Sequence, residues 1–230
     1  MTLDLKLEQV QEEYLRRLSL GDGELLKQIE RHILSRMGKM LRPRLLLMSA
    51  QTQGDEAFES RRTLLLAVAV EMLHNASLLH DDVIDHSDSR RGQPSVNAHF
   101  GNTAAVLAGD YLLAQVMKIL HEVNDPDAAH RINNTVITMV EAELIQLDCQ
   151  KGPFDSSTYL KIIDGKTASL FATACALGNP DYEEFGLHYG RLFQLRDDVA
   201  DNEDGPFTAE LIEKENAALA AIKHTLPILI

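Results

Sequence analysis

Residues 63–85 read TLLLAVAVEMLHNASLLHDDVID. Through residue 84 the apolar side chains cover nearly every face of a helix, a pattern that belongs to a helix buried on most sides in a large bundle. Its last turns then become abruptly acidic, with Asp81, Asp82 and Asp85. On both sides of this segment apolar residues recur at helical spacing. Strand-like alternation is scarce, and the thirteen Gly and seven Pro fall mainly between the periodic stretches. These features predict an all-α chain with helices near 4–18, 23–37, 42–52, 56–86, 102–122, 127–150, 156–163, 166–177, 181–200 and 208–223. No repeat, linker or low-complexity tract divides them, so residues 1–230 are expected to form a single domain. Segments 103–123 and 131–149 are also apolar on more than one face, and a bundle of about ten such helices must surround something or be several layers deep.

Asp81 and Asp85 are four residues apart and share one helical face, so their carboxylates can reach the same ion. Unpaired carboxylates at the end of an apolar helix would be costly to desolvate and would repel each other, and a cationic partner is expected there. Asp197, Asp198 and Asp201 repeat the pattern after a second apolar helix. One such cluster reads as well as a solvated helix end; two copies at the ends of buried helices favour a binding role. The ligands are all hard oxygen, which suits Mg2+ better than zinc or calcium. Magnesium takes one or two carboxylates with waters and phosphate oxygens, so the clusters suggest a diphosphate held through bridging ions.

Composition limits the alternatives. With 230 residues and 45% apolar content the chain can fill a sizeable core. A formal charge of −13 repels nucleic acid and anionic lipid, so a non-specific phosphate-backbone binder is not expected. Cys149 and Cys175 lack metal or redox spacing and read as reduced core residues of a cytoplasmic protein. The charged, amphipathic start has no secretory pattern, and the longest uninterrupted apolar run is seven residues, so no membrane-spanning helix is expected. Histidines at metal-ligand spacing, which a phosphohydrolase built on His80 and Asp81 would need, do not occur.

Two basic motifs accompany the acids, GKMLRPR (38–44) and DSRRGQP (88–94). Lys and Arg held at turns suit a diphosphate pocket, although Arg beside Asp can also be plain charge pairing. Together with HDDVIDHSDSRRGQPSVN (80–97), Gly109-Asp110, EAELIQL (141–147), GKTASLF (165–171) and FQLRDD (193–198), they occur in the order found in polyprenyl synthetases. Over residues 38–201 the chain resembles that family of trans-isoprenyl diphosphate synthases.

The resemblance implies an all-α bundle around a deep central cavity, usually a homodimer and in some cases completed by a heteromeric partner. It also implies condensation of isopentenyl diphosphate with an allylic prenyl diphosphate. Asp81, Asp85, Asp197 and Asp201 match residues that hold three magnesium ions, with Asp82 and Asp198 in support. Lys39, Arg42, His74 and Arg91 match the isopentenyl diphosphate pocket, and Arg90 and Lys166 match allylic diphosphate ligands. His74 also lies on one stripe with Leu78, Asp81 and Asp85. In the implied reaction Arg90, Lys166 and the metal ions stabilise the departing diphosphate. The Lys166 carbonyl, Thr167 and Gln194 then steady the allylic cation, which the isopentenyl double bond attacks.

Product length is expected to depend on Leu73, Ala76 and Ser77 below Asp81, where small residues predict a product of twenty carbons or more. The chain departs from the family in three places. No Gly-Lys segment follows Asp201, the stretch 179–184 is short, and the sequence stops at Ile230, before the family's last helices. These departures describe a compact or C-terminally shortened member. They keep open a non-catalytic or regulatory subunit of a heteromeric synthase as an alternative.

Overall fold

The computed structural model describes residues 1–35, 38–90, 92–149, 155–201 and 207–227. In chain order its helices are α1 (Leu3–Arg17), α2 (Glu24–Leu34), α3 (Leu41–Gln51), α4 (Asp55–Glu59), α5 (Arg61–Ile84), α6 (Val96–Phe100), α7 (Asn102–Val123), α8 (Pro126–Cys149), α9 (Ser156–Ile163), α10 (Ser169–Gly178), α11 (Glu183–Ala200) and α12 (Thr208–Ala221). A π-helical turn, Asp164–Ala168, joins α9 to α10, and a 3-10 turn, Pro180–Tyr182, joins α10 to α11. The two-residue strands β1 (Ser89–Arg90) and β2 (Gln93–Pro94) pair antiparallel.

The all-α expectation holds, with local differences. The helix expected over 56–86 is interrupted at Ser60, whose backbone is extended and whose side chain accepts the Thr63 N–H, so that α5 starts afresh with its own N-cap. The helix expected from 166 begins instead as the π turn. The short β pair and α6 went unpredicted because two to five residues carry no periodicity.

Two compact units share the chain, Met1–Arg44 with Glu59–Asp125, and Leu45–Phe58 with Pro126–Ile230. In the first, α5 packs against α7 and α1. Leu65, Leu66, Ala67, Val68, Ala69, Val70, Met72 and Leu73 are all buried, as all-round apolar patterning requires. Each buried leucine stabilises this core by roughly 2 kcal/mol. Arg17 fastens α1 to the end of α7, donating to Glu13 at 2.7 Å and Glu122 at 2.6 Å, and Arg61 at the start of α5 also donates to Glu122 at 2.6 Å. The hydrogen bond from Arg16 and the adjoining Arg17 hold the Glu13 carboxyl down to about 2.

Helices α5 and α7 are each long and apolar enough to cross a membrane by length and mean hydropathy, which the expectation from uninterrupted runs did not foresee. For α5 the apolarity is that of a core helix, since two thirds of its most apolar window is buried and it carries the buried carboxylates of Glu71 and Asp82.

In the second unit α10 is buried along its whole second half and packs against α11. Small residues permit close approach. A Cβ on Gly186 or Gly190 would press on the backbone of Ala172 or Ala168. At the other face of α10, a Cβ on Gly178 would lie 2.3 Å from the Leu46 carbonyl oxygen, and Ser49 of α3 donates to the Cys175 carbonyl at 2.9 Å. Cys175 is buried, which pushes its thiol pKa up, whereas Cys149 is only half-buried and so departs from the core placement expected for it. A further cluster of Ile163, Leu195 and Leu211 seats α12 on α9 and α11. Replacing Gly178 with Ala is expected to cost about 2 kcal/mol by overpacking, visible in thermal unfolding as a Tm lowered by roughly 6 °C.

Candidate active site

In the first unit the acidic turn forms the C-terminal end of α5. Asp81 is half-buried, Asp85 is exposed at the C-cap, and the Asp85 N–H donates to the Asp81 carbonyl at 2.8 Å. Between them Asp82 turns inward, its side chain 3% exposed, and accepts from Arg90 Nε at 2.7 Å. The loop after α5 is held to it by Asn97, whose amide donates to the carbonyls of Asp82 and Ser87 at 3.0 and 3.1 Å. Ser95 also donates to the Ser87 carbonyl, at 2.6 Å. The hairpin reversal passes through Gly92 at φ +75°, a conformation glycine adopts without strain. A small cavity lined by Ile33, Asn75, Leu78, Leu79, Asp82, Arg90 and Val96 lies under this turn.

Gly109-Asp110 has a packing reason. The His80 imidazole lies where a Gly109 side chain would stand, with Nε2 2.3 Å from the Cβ that Gly109 lacks. That nitrogen is 3.2 Å from the Val106 carbonyl and 3.5 Å from Asp110. His74 is half-buried on α5, Lys39 is exposed just before α3, and Arg42 is buried in the first turn of α3. Arg91 lies outside the described residues. Leu73 and Ala76 are fully or almost fully buried, and Ser77 is half-buried with its hydroxyl on the His74 carbonyl.

In the second unit α11 ends in the same way. Asp197 and Asp201 are exposed, and Asp201 is the C-cap. Asp198, 9% exposed, has both oxygens engaged, one by the Tyr159 hydroxyl of α9 and the other by Gln194 Nε2 at 2.7 Å. Because Gln194 gives its amide nitrogen to Asp198, its oxygen accepts from Thr167 at 2.7 Å. Thr167 and Gln194 are thereby brought together. The lone pairs left on both oxygens are able to face a positive charge.

Lys166 points to other partners, Glu143 Oε2 at 2.6 Å and Gln146 Oε1 at 3.0 Å, both on α8. The π turn is fastened from the α11 side by Arg191, which grips Asp164 with two donors, one at 2.7 Å. That hydrogen bonding raises the Arg191 pKa, and Glu215 of α12 adds to the effect. Reading the sequence assigned no role to Tyr159, Glu143, Gln146 or Arg191. Only Glu143 and Gln146 left a signal, three residues apart on one face of α8 within EAELIQL.

The two helix ends share one electrostatic logic. Backbone carbonyls at a helix C-terminus already carry partial negative charge, so Asp85 and Asp201 stand where a carboxylate is disfavoured. The middle aspartate of each cluster accepts side-chain hydrogen bonds from the protein, Asp82 from Arg90 and Asp198 from Tyr159 and Gln194. The donor set suits magnesium: each end carries two further carboxylates beside its middle aspartate, all hard oxygen ligands, and among the described residues no three His, Cys, Asp or Glu side chains form a closed metal cage.

An all-α chain with paired carboxylates ending two of its helices belongs to the isoprenoid synthase class of folds. A model of the polyprenyl synthetase family matches residues 23–230, and the chain belongs to that family. It is 35% identical over 187 residues to an all-trans-nonaprenyl-diphosphate synthase (geranyl-diphosphate specific) of Rhodobacter capsulatus, covering 77% of this chain and 57% of that protein. It is 34% identical over 192 residues to heptaprenyl diphosphate synthase component 2 of Bacillus subtilis, covering 79% and 54%. The structure is similar to polyprenyl synthase from Caulobacter crescentus complexed with calcium and isoprenyl diphosphate, with a TM-score of 0.81, 30% identity and coverage of 88% and 64%. The chain thus spans little more than half the length of these two curated relatives.

Without divalent cations, Asp85→Asn is expected to stabilise the protein by about 0.5 kcal/mol, because it removes a charge from the negative helix end. Adding magnesium should raise the Tm of the wild type and raise that of the variant less, a comparison made by thermal unfolding with and without chelator.

Proposed function

We propose that this protein is a trans-prenyltransferase that condenses isopentenyl diphosphate with an allylic prenyl diphosphate, giving a trans-polyprenyl diphosphate of twenty carbons or more and releasing diphosphate. The observation that carries the reading is the carboxylate cluster that ends each of α5 and α11, in a member of the polyprenyl synthetase family. Asp81, Asp85, Asp197 and Asp201 would hold magnesium, three ions by family resemblance, whose charge offsets that of the diphosphate. Arg90 and Lys166 bind the allylic diphosphate, and Lys39, Arg42, His74 and Arg91 bind isopentenyl diphosphate. Thr167 and Gln194, already hydrogen-bonded to each other, present oxygen to the allylic cation. Asp82 and Asp198 hold Arg90 and Gln194 in place. The small, buried Ala76 beside Leu73 and Ser77 supports a long product.

We read residues 1–230 as one domain, since each compact unit is assembled from two separate stretches of chain. We place the protein in the cytoplasm, a reading supported by its two free cysteines. Incubation with magnesium, labelled isopentenyl diphosphate and primers of ten, fifteen and twenty carbons is expected to yield a ladder ending at one length of at least twenty carbons. Asp81→Asn and Asp197→Asn should each slow it by about 100-fold or more. A folded wild-type protein that binds magnesium diphosphate and elongates no primer would overturn the stand-alone reading. That result favours a second one, a non-catalytic or regulatory subunit of a heteromeric synthase; similarity to a protein named as component 2 supports the heteromeric assembly.

A homodimer is part of the same proposal. Ile137, Val140, Leu144 and Leu147 of α8 are exposed at spacings of three, four and three, Val140 to 55% and Leu144 to 60%. Such an apolar seam is what a partner helix covers. Leu144→Glu is expected to convert a dimer to a monomer in sedimentation equilibrium with its helical circular dichroism retained.

A further inference from the structure

Lys166 carries its own counter-ion. Its ammonium has three donors, and two are engaged, by Glu143 Oε2 at 2.6 Å and Gln146 Oε1 at 3.0 Å. Glu143 is 9% exposed, and its second oxygen is buried without a hydrogen-bond partner among the described residues. A buried carboxylate is ordinarily served on both oxygens, as Asp198 is here by Tyr159 and Gln194. Glu143 therefore sits in a place that is costly for its charge, supported chiefly by Lys166.

We propose that Glu143 is an internal competitor for Lys166, a resident anion that weakens this lysine's hold on diphosphate. The inference rests on the reading of Lys166 as a diphosphate ligand. Two arrangements are open to an incoming diphosphate oxygen: it takes the donor for which the described residues show no partner, or it displaces Gln146 or Glu143 from the ammonium. While Glu143 stays 2.6 Å from the lysine its negative charge repels the incoming anion in a partly desolvated setting, where such repulsion is weakly screened, and displacing Glu143 forfeits the ion pair that supports its buried carboxylate. The functional consequence concerns release. An enzyme that liberates diphosphate in every cycle is slowed if its cations hold that product too tightly, and a built-in carboxylate that reclaims the lysine opposes this. Glu143 also keeps Lys166 turned toward α8 while Thr167, the next residue of the π turn, faces Gln194 on α11. Gln146 makes the arrangement tunable, because exchanging it for Glu adds a second carboxylate of the same shape beside the ammonium.

The test is calorimetric titration of magnesium diphosphate into the full chain as wild type, Glu143→Gln, Gln146→Glu and Lys166→Gln, with thermal unfolding of each. Glu143→Gln should bind about tenfold more tightly and Gln146→Glu about tenfold more weakly. Lys166→Gln should bind more weakly than wild type. An affinity unchanged or reduced in Glu143→Gln overturns the inference. So does weaker binding in both glutamate and glutamine variants accompanied by a lower Tm, which is the outcome of a merely structural ion pair. Should Glu143→Gln fail to fold, Gln146→Glu decides alone, with an unchanged affinity overturning the inference. A Lys166→Gln protein that binds as wild type does places the failure in the assignment of Lys166 itself, while Asp81→Asn in the same titration reports separately on the metal-dependent reading.

Discussion

Two buried helices in this protein end with carboxylates at their negative poles, and much of the local architecture is arranged around that unfavourable charge. At each pole the middle aspartate is withdrawn from solvent and given protein donors: Arg90 for Asp82, and Tyr159 with Gln194 for Asp198. The flanking pair stands on the last turn, with Asp85, Asp197 and Asp201 exposed and Asp81 half-buried. Satisfying the middle residue fixes the turn, and a fixed turn holds the outer carboxylates in place at little further entropic cost. The hydrogen bonds from Asn97 and Ser95 to the chain leaving α5 serve the same end, because they hold the loop that brings Arg90 back to Asp82.

The π turn is the second organising element. By widening one helical turn it lets the adjacent residues Lys166 and Thr167 serve different neighbours, α8 and α11. A bulge of this kind persists only where its surroundings hold it. Here Arg191 grips Asp164 at its start, and Gly165 lets α8 approach so closely that a Cβ would stand 2.4 Å from that of Ala142. Gly190 plays the corresponding part on α11, against Ala168. Substituents in these places would move the lysine and threonine away from their partners before they disturbed the core as a whole.

Charge pairing around the π turn extends to the last described helix. Glu215 of α12 is buried, its carboxylate is paired with His188 Nδ1, and it lies 3.6 Å from Arg191. Alongside the apolar cluster of Ile163, Leu195 and Leu211, this seats α12 on the helices that carry Gln194 and Tyr159. The placement of Gln194 and Tyr159 therefore depends in part on α12, a helix that makes no hydrogen bond to Asp198.

Helical class, most helix positions and both acidic clusters were legible in the amino-acid order, because periodicity and an i, i+4 pair of aspartates are local properties of one helix. So was the polyprenyl synthetase resemblance, carried by short motifs in a set order. Other features depend on which side chain meets which across the packed fold, and no local pattern encodes that. The inward turn of Asp82 and Asp198, the Thr167–Gln194 bond, the Glu143–Lys166 pair and the seat that Gly109 leaves for His80 all join residues 8 to 39 positions apart or on different helices. Sequence spacing placed charges on helix faces; packing alone selected their partners, since a hydrogen bond needs its donor and acceptor within about 3 Å and only the folded chain brings them there.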